Sequence, residues 1–279
     1  MLKRFIKKTN EWLAEWVQKG SSPLMHAELY KRRCPRCIQD AFTMLSAYVS
    51  KTPGTDPMVY RVLEDRSEDL VKTEVETQRG PLDAFDHLAR VQALMVFLII
   101  RLWDGDIRQR HLAEKHLPTL DIWTRQMLDC GGEVATNGKM LTSNYLKGDD
   151  PCPIEFDKAK CDDDPEKLLW HAWILSETIR RTWAISESVR SIYSIMQMGE
   201  AECPGGMMVT TRRGAWEAES AYAWTKTCAE QTVGFMRRNE TEKVLFECEP
   251  ADVDQFTLVL LELDHGTEKL ERWGVDLST

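Results

Sequence analysis

Between Leu168 and Met196 the residues Leu168, Ala172, Leu175, Ile179, Thr182, Ser186, Val189, Tyr193 and Met196 recur in alternating steps of four and three. That spacing draws one seam along an α-helix. A seam of this length cannot be closed by one neighbour, so the chain must supply several further helices to cover it. Asp164 is placed to cap the helix, with Pro165 at its first position and Glu166 in its first turn.

The rest of the sequence supplies those helices. Leu2, Phe5, Ile6, Trp12, Leu13, Trp16 and Val17 fall on one face of an amphipathic N-terminal helix whose first turns carry Lys3, Arg4, Lys7 and Lys8. Such a helix packs on its own domain or a partner, with membrane contact or nuclear import as the other readings. Helices are predicted over 35–48, 59–71 and 82–103, the last apolar nearly all round and therefore central. Asp104 is expected to cap the next helix, which starts near Ile107, bends or breaks close to Pro118, continues to Leu128 and ends at Gly131 and Gly132. A long irregular loop is expected from about 130 to 164. Then come the long helix, a turn at Cys203 to Gly206, a helix over 216–228 and a last one over 253–273. No stretch alternates long enough to require a sheet. The predicted class is all-α, a single domain of roughly eight to ten helices, with a basic amphipathic helix over 1–20 and an all-helical regulatory domain over 30–275.

Charge narrows the functions open to it. With 36 basic against 45 acidic residues, the net charge is −9, which opposes a broad phosphate-binding surface. No direct DNA binding by this chain alone is expected. Eight cysteines at irregular intervals do not form a disulfide framework. The longest apolar run, Ala93 to Ile100, is far shorter than the ~20 residues of a membrane span, so no membrane partner is expected.

Few residues suggest chemistry. Cys34 and Cys37 have the spacing of half a zinc site and lack a second pair. His111 and His116, five apart, face different sides of a helix. The acidic run to Asp164 is accounted for by helix capping. No phosphate loop, nucleophile elbow or metalloprotease pair is present. The sequence thus calls for no catalytic residue, no metal and no cofactor.

Two groups stand out instead. Glu177 reaches Arg180 and Arg181 at three and four residues on one helical face, either as a structural ion pair or as an anionic-effector site, for which the planar guanidinium is suited. Ten tryptophans recur mainly in helical segments, where Trp103, Trp173, Trp183 and Trp216 are core residues or the lining of an apolar pocket between helices.

Four segments in order, Ala89 to Leu94, Ile100 to Arg110, Glu177 to Trp183 and Gly205 to Trp216, resemble the C-terminal regulatory domain of fungal zinc-cluster transcription factors. The resemblance runs from roughly Cys34 to Trp273. The six-cysteine cluster that reads DNA in that family is absent from this sequence. The resemblance implies a non-enzymatic regulator of a metabolic or secondary-metabolite pathway, nuclear at least part of the time and otherwise cytoplasmic. It would act through co-regulators or self-association and sense a small-molecule effector. The alternative is a stand-alone domain recruited as a small-molecule binder or a biosynthetic enzyme of the cyclase or isomerase kind.

Overall fold

A computed structural model describes residues 1–76, 82–137, 164–201, 208–230, 234–237 and 240–276. Within them the chain forms α1 (Leu2–Lys19), α2 (Arg36–Val49), α3 (Asp56–Glu76), α4 (Ala84–Trp103), α5 (Ile107–Glu114), α6 (Leu117–Asn137) and α7 (Pro165–Met198). β1 (Met208–Thr210), α8 (Ala221–Glu230), β2 (Phe235–Arg237), α9 (Glu242–Glu247), α10 (Gln255–His265) and α11 (Thr267–Trp273) follow. The fold is all-α, as the periodicity predicts.

Two helices form the axis. Every residue of α4 from Leu88 to Leu102 is buried, and so is every residue of α7 from Ala172 to Ser186. Burial on all sides explains why α4 has no polar face. α4 packs on α2, α6 and α7, and α6 on α7. Where α4 meets α7, the buried Gln92 Nε2 donates to Thr182 Oγ1 at 3.0 Å and Ser186 Oγ donates to Met95 Sδ at 3.6 Å, so the polar residues of the seam find partners on α4. α7 opens as expected, with the Asp164 side chain accepting from the Glu166 N–H.

α1 turns Phe5, Trp12, Leu13 and Trp16 inward. Trp12 stacks on Phe256 of α10 with ring centroids 5.8 Å apart, and Arg4 pairs with Glu262 at 3.0 Å. Burying each such side chain stabilises by about 1.5–3 kcal/mol, so α1 joins the two ends of the chain. Among the described residues no helix is long and apolar enough to cross a membrane.

Several boundaries differ from the sequence reading. α6 continues through Gly131 and Gly132 to Asn137, because glycine weakens a helix by only about 1 kcal/mol and does not by itself stop one. The rest of the expected loop, and the Cys203 to Gly206 turn, lie outside the described residues. α8 begins at Ala221, leaving Trp216 in the turn before it. The last helical stretch is two helices, broken at Gly266 with φ 82°, and α9 precedes them. β1 and β2 pair antiparallel, Val209 opposite Met236, and are too short for an alternating pattern to register. Asp106, not Asp104, caps α5 by accepting from the Gln109 N–H.

Candidate functional site

Glu177, Arg180 and Arg181 lie at the middle of α7, all within 2% of full burial. Their helical spacing brings both guanidinium groups to one carboxylate: Arg180 Nη2 donates to Glu177 Oε2 at 2.7 Å and Arg181 Nε to Oε1 at 2.9 Å. The remaining partners come from distant segments. Thr210 of β1 donates its N–H and its hydroxyl to the same carboxylate, at 3.1 and 2.8 Å. Arg181 Nη1 donates to the Pro23 carbonyl at 2.9 Å and Nη2 to Asp254 Oδ2. Asp254 Oδ1 in turn caps α10 by accepting from the Thr257 N–H at 2.8 Å.

This knot holds two guanidinium groups and two carboxylates, so it carries no net formal charge. Burial pushes the Glu177 carboxyl up, but Arg180 and Arg181 outweigh it and hold it below the ordinary range. Burial would lower the Arg181 guanidinium, yet Asp254 and Glu177 raise it. For Asp254, burial wins over Arg181 and the carboxyl is raised. The Arg181 guanidinium also lies 3.9 Å from the ring centre of Trp216 and 4.7 Å from that of Phe256, a cation–π contact at its strongest when desolvated. Each of its three nitrogens is engaged.

A second polar centre explains the Ile100 to Arg110 segment. Arg101, 1% exposed, donates from Nε to Gln109 Oε1 at 3.0 Å and from Nη1 to Ser67 at 2.5 Å. Gln109 bridges to a carboxylate, its Nε2 donating to Glu64 at 2.7 Å, and Arg108 grips the same Glu64 with two bonds of 2.9 Å. Asp104 accepts from the Tyr48 and Tyr60 hydroxyls and from Lys51 at 3.1 Å. Burial opposes ionisation of Asp104, but these three donors keep its carboxyl below the usual range. Arg101, Asp104, Asp106, Arg108 and Gln109 thus clasp α2, α3, α4 and α5 together.

Of the four tryptophans expected to line a pocket, Trp173 and Trp216 meet edge to face at 6.4 Å. Trp183 is buried on α7 and Trp103 ends α4, and among the described residues neither shares a ring contact with the other two. Trp224 lies against Trp173 at 5.5 Å, and His26 sits between Trp216 at 4.9 Å and Trp170 at 6.1 Å. The His26 imidazole is neutral, because burial and then the Arg181 charge hold it down to about 3. The 3.0 Å bond from the Trp216 indole N–H to the Ser22 carbonyl joins this cluster to the loop that feeds Arg181. Cys34 is exposed and Cys37 half-buried.

Sequence reasoning missed Asp254, Thr210, Pro23 and His26, which join the site from elsewhere in the chain. Spacing signals only partners within one helix.

An all-helical domain whose motif-bearing helices are locked by buried charge is what these elements define, and the comparison with known proteins gives it a relative. The chain is 23% identical over 257 residues to the transcription factor gsfR2 of Penicillium aethiopicum, across 92% of this chain and 57% of that protein. It therefore spans a little over half the length of the curated relative it matches. No family model and no solved structure matches it.

Proposed function

We propose that this chain is the regulatory part of a fungal transcription factor, nuclear at least part of the time, which controls a metabolic or secondary-metabolite pathway through protein contacts. The observation that carries this reading is the similarity to a fungal transcription factor along 92% of the chain. The net charge of −9 supports a role away from the DNA phosphates. Nothing in that similarity favours the enzymatic alternative.

In this reading Glu177, Arg180 and Arg181 are structural. Arg181 already directs each of its three nitrogens to a partner, Glu177, the Pro23 carbonyl and Asp254, and the knot is neutral as it stands. Its task is to hold α7, β1, α10 and the loop at Pro23 in one arrangement, so that the outer surface offered to co-regulators is fixed.

The test is to fuse the chain to a heterologous bacterial DNA-binding domain in a fungal host carrying a reporter with the matching sites, and in parallel to delete the native gene. Reporter output should change with the fusion, and a restricted set of metabolic transcripts should change with the deletion. A silent reporter together with an unchanged transcriptome would overturn the reading. Specific binding of the unfused chain to a defined DNA site at physiological salt, at a ratio above roughly a thousandfold, would overturn the absence of DNA contact.

A further inference from the structure

Trp170, Trp173 and Trp224 are 4%, 1% and 3% exposed, and the indole N–H of each has no hydrogen-bond acceptor among the described residues. Buried indole N–H groups ordinarily find an acceptor, since leaving one unpaired forfeits its bond to water. Trp216 in the same cluster follows that rule through the Ser22 carbonyl. Trp103 Nε1 at the end of α4 also has no acceptor among the described residues, but here three such groups gather, with Trp173 and Trp224 in ring contact and Trp170 one turn away on α7, a concentration of unpaired buried donors that a purely structural core rarely carries. Trp173 and Trp224 are tilted by 43°, and although Trp173 meets Trp216, and Trp170 meets His26 and His171, edge to face, such ring contacts are second-order beside a hydrogen bond to an oxygen.

The geometry points to a small-molecule site at Trp170, Trp173 and Trp224, taking a flat, uncharged ligand that presents carbonyl oxygens to the indole N–H groups. Indole nitrogen donates and never accepts, so the ligand supplies acceptors. Aromatic walls favour a flat molecule. Charge is excluded from both sides: His26 is neutral, and the guanidinium of Arg181 is already bound to Glu177, Asp254 and Pro23. A buried carboxylate here would lack a counter-ion. The outer wall is α8, a ten-residue helix whose buried residues are Ala221 and Trp224, so admitting a ligand between Trp173 and Trp224 requires displacing one short helix. This assignment stands on the cluster itself and goes beyond the proposed regulatory role.

Fluorene and 9-fluorenone separate shape from hydrogen bonding, because they have the same flat outline and differ by one carbonyl oxygen; 9-fluorenone-4-carboxylate adds a charge. Their binding to the full chain is followed by calorimetry, and by ligand-observed magnetic resonance for weak binders. 9-Fluorenone should bind roughly tenfold more tightly than fluorene, the ratio expected for one net hydrogen bond, and more tightly than its carboxylate. Trp173→Phe and Trp224→Phe, which keep an aromatic ring and remove the donor, should erase that preference while the circular dichroism spectrum stays native. Equal binding of fluorene and 9-fluorenone, binding of neither, or a preference that survives both substitutions would overturn the proposal. Variants that merely gain stability and show no change in ligand preference would do the same, by showing that water alone serves these N–H groups. The transcriptional reporter has no part in this test, so the two readings fail independently.

Discussion

The knot on α7 and the clasp at the end of α4 both bury an arginine to about 1% exposure, yet they solve its solvation in opposite ways. Arg181 bonds directly to Glu177 and Asp254. Among the described residues Arg101 donates to the neutral Gln109 and Ser67, with the Glu64 carboxylate one bond further away. Burial correspondingly pulls the Arg101 guanidinium below its ordinary value, only partly offset by Glu64 and Glu68, whereas its carboxylates raise Arg181. The difference teaches that the position of the carboxylate sets how much of the fold depends on each arginine. In the knot the charge is locked between distant segments. In the clasp a neutral amide stands between the guanidinium and Glu64, near a half-open edge where Arg108 is 73% exposed.

Removing each arginine should sharpen that contrast. Arg181→Ala should destabilise by about 3–5 kcal/mol, because Asp254 is left as a buried, uncompensated carboxylate; chemical unfolding at neutral pH measures it. For Arg101→Ala the neighbours lost are neutral, and the expected cost is about 1–3 kcal/mol for the unpaired Ser67 and Gln109 groups. Equal losses from the two substitutions would break the comparison.

Acid probes the knot from its aromatic side. The folded imidazole of His26 is depressed to about 3, below its unfolded value of about 6.5, so between these limits the unfolded chain binds more protons. The contribution of His26 to stability is therefore complete above about pH 6.5 and declines on acidification by at most about 1.4 kcal/mol per pH unit. His26→Gln should flatten the decline in melting temperature between pH 6.5 and 4, as read by calorimetry. An unchanged slope would show that His26 is not buried neutral. The smallest effect is expected at the open edge: Arg108→Ala should leave the unfolding midpoint nearly where it was, since exposed ion pairs contribute little.

How much of this could be seen in the sequence depended on distance along the chain. The Asp164 cap and the Glu177 pairing with Arg180 and Arg181 are local spacings and legible in the sequence, and so is the α7 seam from Ala172 to Tyr193, but Leu168 and Met196 at its two ends are exposed. Asp254 and Pro23 reach Arg181 from 73 and 158 residues away, and no local pattern encodes such meetings. Asp104 and Asp106 flank one glycine and are equally good caps on paper. The choice fell to Asp106 because Tyr48, Tyr60 and Lys51 arrive from α2 and α3 to occupy Asp104. Tryptophan spacing identified core positions, but whether an indole N–H finds an acceptor depends on loops such as that at Ser22. That choice is made only on folding.

The most direct test of the knot is a double-mutant cycle between Arg181→Met and Asp254→Asn, with unfolding free energies measured in urea at neutral pH. Two groups that share one buried bond should be coupled by roughly 1.5–3 kcal/mol, the double variant costing less than the sum of the single ones. Additivity within about 0.5 kcal/mol would contradict the account, showing that Arg181 and Asp254 do not hold α7 and α10 together.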